Sequence, residues 1–91
     1  MKKSFDFLKF YKAKINYQKE DDLHPLRIPN GSTIHVHPLW EIDRGDYIGQ
    51  FAFMPAEGYH WIPECDLEIL EEIDYDQYKE ANNLFTLIRG N

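Results

Sequence analysis

Two stretches of the chain alternate apolar and polar side chains with a period of two, which predicts half-buried β-strands. In residues 10–18, one face carries Tyr11, Ala13, Ile15 and Tyr17. In residues 33–42, one face carries Ile34, Val36, Pro38, Trp40 and Ile42. Pro38 has no amide hydrogen to donate to a neighbouring strand, so we expect this strand to be bulged there or to lie at an edge.

Shorter runs predict further strands between turns. Residues 47–54 alternate again, and Gly49 inside them predicts a bulge or a close backbone approach. Residues 59–62 are short and aromatic and end at Pro63. Residues 67–73 fit either a strand or a helix, and we favour a strand. A loop is expected at 19–32, with a tight turn at Asn30-Gly31.

The C-terminal segment, residues 74–89, predicts a helix. Asp74 and Gln77 have the spacing of a capping box, and Gly90 is a natural stop. Apolar positions recur at spacings of three and four: Tyr75, Tyr78, Ala81, Leu84, Phe85 and Ile88. This amphipathic helix is expected either to cover an open end of the strand domain or to mediate a homodimer; a monomer is the alternative.

Four or five short strands joined by Gly/Pro turns predict a mainly β (α+β) fold, a small barrel of antiparallel strands. Residues 45–51, 59–63 and 66–70 resemble the closing half of SH3-like barrels, which are common in small accessory proteins of bacteriophages and mobile elements. The chain lacks the acidic, Tyr-rich loop of peptide-binding SH3 domains, so proline-peptide binding is not implied. The expected single domain, 1–91, divides into an arm (1–9), a barrel (10–73) and a helix (74–89).

The amino-acid composition indicates a globular domain with a packed core and no intramolecular disulfide. The chain is 43% hydrophobic and 15% aromatic, enough for a packed core. The single cysteine, Cys65, excludes an intramolecular disulfide. No signal peptide and no membrane-spanning segment is recognisable, so a cytoplasmic location is expected.

Charge is unevenly spread around a formal net of −6. Residues 1–19 hold six lysines and one acid, and residues 64–80 hold eight acids and one lysine. Carboxylates along one edge can imitate the phosphates of a nucleic-acid strand and occupy a basic groove on another protein. Small acidic inhibitors encoded by phages act this way, and this chain is similar in size and charge. The predicted contact surface comprises Glu64, Asp66, Glu68, Glu71, Glu72, Asp74, Tyr75, Asp76 and Tyr78. The alternative is a solvated face.

Two further hypotheses remain open. Lys9, Lys12 and Lys14, interleaved with aromatic residues, predict contacts to nucleic-acid phosphates, or else the exposed face of a strand. His35 and His37 lie two apart on one strand face and predict a metal site, or a metal-dependent hydrolase, if Glu41, His24 or His60 completes it. Otherwise they are ordinary polar surface residues.

No strong catalytic motif is present, so we expect a binding protein without a cofactor rather than an enzyme. Cys65 with His60 is a weak candidate for thiol chemistry, because Glu64 and Asp66 are expected to raise the pKa of the thiol. Four large aromatic side chains are assigned to the core rather than to a ligand cage: Trp40, Phe51, Phe53 and Trp61.

Overall fold

Five strands and one helix follow one another in the computed structural model, which describes residues 5–18 and 28–89. The strands are β1 (Phe10–Ile15), β2 (Thr33–Glu41), β3 (Phe51–Pro55), β4 (Ile62–Pro63) and β5 (Leu67–Ile73), and the helix is α1 (Tyr75–Arg89). A 3₁₀ turn, Glu64–Asp66, joins β4 to β5. The predicted mainly β fold with a C-terminal helix is confirmed, and the ambiguous segment 67–73 is a strand.

All strand pairs are antiparallel and form one sheet in the order β4-β3-β2-β1-β5. Strands β4 and β5 therefore lie at opposite edges, and no pairing among the described residues joins them into a closed barrel. The chain enters β2 through the predicted turn, in which Gly31 adopts φ 86° and donates its N–H to the Ile15 carbonyl at 2.8 Å. Glycine adopts this left-handed conformation without steric cost.

One face of the sheet, the core face, packs the apolar side chains that the alternation predicts. Phe5, in the N-terminal arm, inserts its ring among them and meets Phe53 edge to face at 5.0 Å. The core comprises Phe5, Ala13, Ile15, Ile34, Val36, Phe51, Phe53 and Ile62. The arm makes a turn over residues 7–8, where the Asp6 carboxylate accepts the Leu8 N–H at 2.8 Å.

Strand β2 carries the bulge that Pro38 predicts. Pro38 lies opposite Phe53 and Trp40 lies opposite Ala52, so β2 has one extra residue between them. Because Ala52 and Phe53 are neighbours in β3, they point to opposite faces, and Trp40 shares the face of Ala52. The assignment of Trp40 to the core is therefore wrong, and its side chain is 46% exposed.

The strand predicted at 47–54 begins only at Phe51 and ends at Pro55. Residues 46–49 instead form a turn closed by the Gly49 N–H, which bonds to the Ile42 carbonyl at 2.9 Å. Gly49 has φ 88°, and a Cβ built there would meet nothing within 4 Å. The glycine thus serves a left-handed turn conformation rather than the bulge or close approach that was expected.

The opposite face of the sheet, the outer face, carries Lys12 and Lys14 of β1 and the two histidines of β2. Helix α1 covers part of it, with Tyr78 and Ala81 packed near Phe10 and Ile73. The predicted capping box is confirmed: the Asp74 carboxylate accepts the Gln77 N–H at 2.9 Å, and the Gln77 side chain accepts the Asp74 N–H at 3.1 Å.

Beyond Asn82, whose side-chain amide donates to the Ala56 carbonyl at 2.9 Å, the helix buries less of its surface. Leu84 and Ile88, predicted on the buried stripe, are exposed together with Leu87. The predicted stop at Gly90 lies outside the described residues. No helix in the described part of the chain is long and apolar enough to cross a membrane.

Candidate functional site

The pairing of β1 with β5 places the basic and the acidic segments of the sequence side by side. Lys9 Nζ lies 3.0 Å from Glu72 Oε1, and Lys12 Nζ lies 3.2 Å from Glu71 Oε1. Lys14 lies opposite Glu68 in the strand register. The two segments are therefore neighbours in the fold, and the lysines and glutamates largely compensate one another in charge.

Two of the predicted acidic contact residues have structural roles. The Glu64 carboxylate accepts the Phe51 N–H at 3.0 Å. Asp66 is 7% exposed; its carboxylate accepts the Gln18 N–H at 3.1 Å, and its carbonyl accepts the Asn16 N–H at 2.8 Å. These bonds tie the 3₁₀ turn to β3 and to the segment after β1. The predicted acidic side chains that are exposed are Glu68, Glu71, Glu72, Asp74 and Asp76.

Of the two tyrosines in the predicted contact surface, one is exposed and the other is buried. Tyr75 is exposed, whereas Tyr78 is 9% exposed and donates its hydroxyl to the Met54 carbonyl at 3.2 Å. Burial, with a smaller contribution from the Glu57 carboxylate, raises the pKa of Tyr78 to about 12. Tyr78 therefore anchors α1 on the outer face and lies outside any exposed contact surface.

A groove of about 360 Å³ runs along β5 on the side that faces the 3₁₀ turn. Leu67 and Ile69 contribute apolar walls, and Glu64 and Glu68 contribute carboxylates. The lining residues are Phe5, Gln50, Glu64, Cys65, Leu67, Glu68 and Ile69.

The two histidines lie on the outer face in different surroundings. His35 Nδ1 is 2.6 Å from Glu57 Oε2, and the His35 backbone N–H donates to Glu57 Oε1 at 3.0 Å. The His37 ring meets Tyr78 edge to face at 5.1 Å, and burial lowers the pKa of His37. Within residues 5–18 and 28–89, no three His, Cys, Asp or Glu side chains are arranged to hold a metal ion. His24 lies outside the described residues.

Cys65 and His60, the candidate pair for thiol chemistry, contact Gln50 and Trp61 respectively. Burial, followed by the charge of Asp66, raises the pKa of the Cys65 thiol, in the direction expected from the sequence. The Cys65 N–H donates to the Gln50 side chain at 2.9 Å. The His60 ring stacks on Trp61 at 5.6 Å, and its Nδ1 lies 2.8 Å from the Trp61 carbonyl oxygen. A protonated thiol is a poor nucleophile.

Sequence reasoning missed a surface cluster of rings on the β2–β3–β4 side of the sheet. We call it the aromatic cluster: Trp40, Tyr47, His60 and Trp61. Trp61 is its centre, with Trp40 at 6.1 Å and 64° and Tyr47 at 6.2 Å and 87° between ring planes. The Pro38 bulge was the signal available in the sequence, because an extra residue after Pro38 moves Trp40 to the outer face.

The fold defines a small, mainly β protein with a C-terminal helix. Its two candidate binding surfaces are the edge of β5 with the adjacent groove and the aromatic cluster. No family model matches the chain, and neither a curated protein nor a solved structure is significantly similar to it.

Proposed function

We propose that the chain is an acidic protein-binding module that takes a basic, extended segment of another protein against β5. The observation that carries this proposal is the position of β5 at a sheet edge with Glu68, Glu71 and Glu72 exposed along it. An edge strand offers backbone donors and acceptors to an added strand, and flanking carboxylates select for basic side chains.

The groove beside β5 adds shape to this surface. Leu67 and Ile69 offer apolar contacts to alternate side chains of an added strand, while Glu68 offers a carboxylate. Backbone pairing supplies affinity in such complexes, and side-chain pockets supply specificity.

The lysines of β1 are not an obstacle to a basic partner. The Lys12–Glu71 and Lys9–Glu72 pairs are exposed, and exposed ion pairs contribute about 0–1 kcal/mol each. A basic side chain of a partner can therefore replace an internal lysine at little cost. The wider hypothesis, an inhibitor encoded by a phage or mobile element that occupies a basic nucleic-acid-binding groove, extends this proposal to one kind of basic partner.

We also propose that the strands have an SH3-like arrangement. Strand β1 pairs with both β2 and β5, and a 3₁₀ turn opened by Pro63 leads into β5. Both features support an SH3-like arrangement of the strands, without a closed barrel.

The second candidate function is nucleic-acid binding through Lys9, Lys12 and Lys14. Lys14 is exposed and has no cross-strand ion pair among the described residues, which leaves it available to a phosphate. The two functions predict opposite effects of removing a β1 lysine.

The experiment compares three labelled probes by fluorescence anisotropy: a synthetic peptide of alternating Lys and Val, its Glu/Val counterpart, and single-stranded DNA. We expect the wild-type protein to bind only the Lys/Val peptide. Lys12→Gln should strengthen that binding, because an internal competitor is removed. If the DNA binds instead and Lys12→Gln weakens it, the nucleic-acid function is correct.

Reversal of the β5 charges by Glu68→Lys, Glu71→Lys and Glu72→Lys should abolish peptide binding. The matched control changes four exposed residues of α1, Asp76→Lys, Glu80→Lys, Asn83→Lys and Thr86→Lys, and so changes the net charge equally. Circular dichroism checks that both variants fold. Equal loss of peptide binding in both variants would show that net charge alone causes the effect. Peptide binding retained in the β5 variant would overturn the proposal.

A further inference from the structure

We infer that the aromatic cluster is a binding site for a cationic side chain, an alkylammonium or guanidinium group of a protein partner. The site is separate from β5 and does not rest on the function proposed for that strand. Its centre, Trp61, directly precedes β4, at the opposite edge of the sheet.

The aromatic cluster is partly exposed to solvent. Trp40 is 46% exposed although the apolar alternation of β2 assigns it to the core face. The bulge between Pro38 and Trp40 turns this large ring outward, beside Trp61. Near the cluster, the turn residue Ile48 is also exposed. Large apolar side chains exposed together mark an interaction surface.

Trp40 and Tyr47 both stand edge-on to Trp61, with interplanar angles of 64° and 87°. These two rings form the walls of a corner with Trp61, while the His60 ring stacks on Trp61 with 22° between ring planes. A cation close to ring faces is attracted by their negative quadrupole, and Trp provides the strongest such attraction.

Charge favours a cationic occupant. Tyr47 lies in the connection between β2 and β3, where Asp46 directly precedes it and is exposed. Asp43, in the same connection, is exposed and pairs with Arg44 at 3.5 Å. Glu41, at the end of β2, lies opposite Phe51 and therefore points to the face away from Trp40. The carboxylates of this connection attract a cation and repel a phosphate, which argues against stacking of nucleic-acid bases.

The protein offers a direct optical readout of this site, because Trp40 and Trp61 are its only two tryptophans. The full chain is titrated with amide-capped arginine, amide-capped trimethyllysine and the uncharged tert-butyl isostere of trimethyllysine. Tryptophan fluorescence and the two indole N–H resonances are followed. We expect saturable changes with at least one cationic probe, and at least fivefold weaker binding of the isostere.

Trp40→Leu keeps an apolar side chain at the exposed position and leaves Trp61 as the reporter. It should weaken binding of the cationic probe at least fivefold, whereas Tyr75→Leu, which removes an exposed ring from α1, should leave binding unchanged. Asp43→Asn with Asp46→Asn should weaken binding about twofold to fivefold and reduce its salt dependence. Thermal melting confirms that each variant is folded.

Equal affinity for the isostere would show an apolar site and overturn the inference. So would unchanged binding in Trp40→Leu, or a response of the tryptophans to an oligothymidine but not to the cations. Charge reversal on β5 should leave this titration unaffected, so failure of one proposal is distinguishable from failure of the other.

Discussion

The two faces of the sheet differ in how completely their side chains are buried. On the core face, the side chains of Ala13, Val36 and Phe53 are fully buried in a continuous apolar cluster. On the outer face, α1 covers only a part, and the remainder carries ion pairs and exposed rings. One face therefore supplies most of the folding energy, and the other carries the side chains that are free to meet a partner. The three predictions below test this division, from the largest expected effect to the smallest.

Removal of a core ring should have the largest effect. Phe53→Ala should lower the free energy of unfolding by about 3–5 kcal/mol, because it leaves a cavity under a fully buried side chain. Urea denaturation followed by circular dichroism measures the change. Trp40→Ala is the matched control on the outer face and should cost much less. Equal losses would contradict the division between the two faces.

His37 should make stability depend on pH. Burial holds its pKa in the folded protein below the usual 6.5, so the unfolded chain binds the proton more readily. Stability is then complete above that value and is lost as the pH falls below it. His37→Phe keeps a ring against Tyr78 and removes the titration.

Urea midpoints of the wild type and His37→Phe, measured at pH 7.5 and pH 5.5, give the comparison. The wild type should lose stability relative to the variant at the lower pH. A difference that stays constant between the two pH values would show that His37 does not titrate with folding.

The smallest effect is expected on the exposed ion pairs. Glu71→Gln should change the free energy of unfolding by less than about 1 kcal/mol, because the Lys12–Glu71 pair is exposed to solvent and screened by salt. Denaturation at low and high salt checks this. A larger loss, or one that high salt does not diminish, would assign the Lys–Glu ion pairs between β1 and β5 a structural role. It would also weaken the case that a partner can displace their lysines.

Local patterns in the sequence predicted the elements well. Alternation identified the core positions Ala13, Ile15 and Val36, and the Asp74–Gln77 spacing located the start of α1. Both predictions rest on local properties of the chain. The pleat of a strand sets the alternation, and the unpaired amides of the first helical turn require the cap. Pro38 also predicted the bulge, but the face on which Trp40 emerges depends on its partner Ala52 in β3.

The candidate sites depended on contacts that no local pattern contains. Lys9 and Glu72 are 63 positions apart in the chain, and only the β1–β5 pairing brings them together. In the sequence, the lysines of residues 1–19 and the acids of residues 64–80 are far apart, whereas the structure places them on adjacent strands. Likewise, the carboxylates of Glu64 and Asp66 belong to an acidic run in the sequence but bond to backbone amides in the fold.

The pairing of β1 with the last strand also bears on how the chain is made. In chain order β1 comes first and β5 last, so the edge of β1 that pairs with β5 stays open until residue 73 has been synthesised. Closing so long a loop has an entropic cost, and pairing between distant segments slows folding. The nascent chain therefore exposes an unprotected strand edge until β5 arrives, and that interval is when misassociation with other unfolded chains is most favourable.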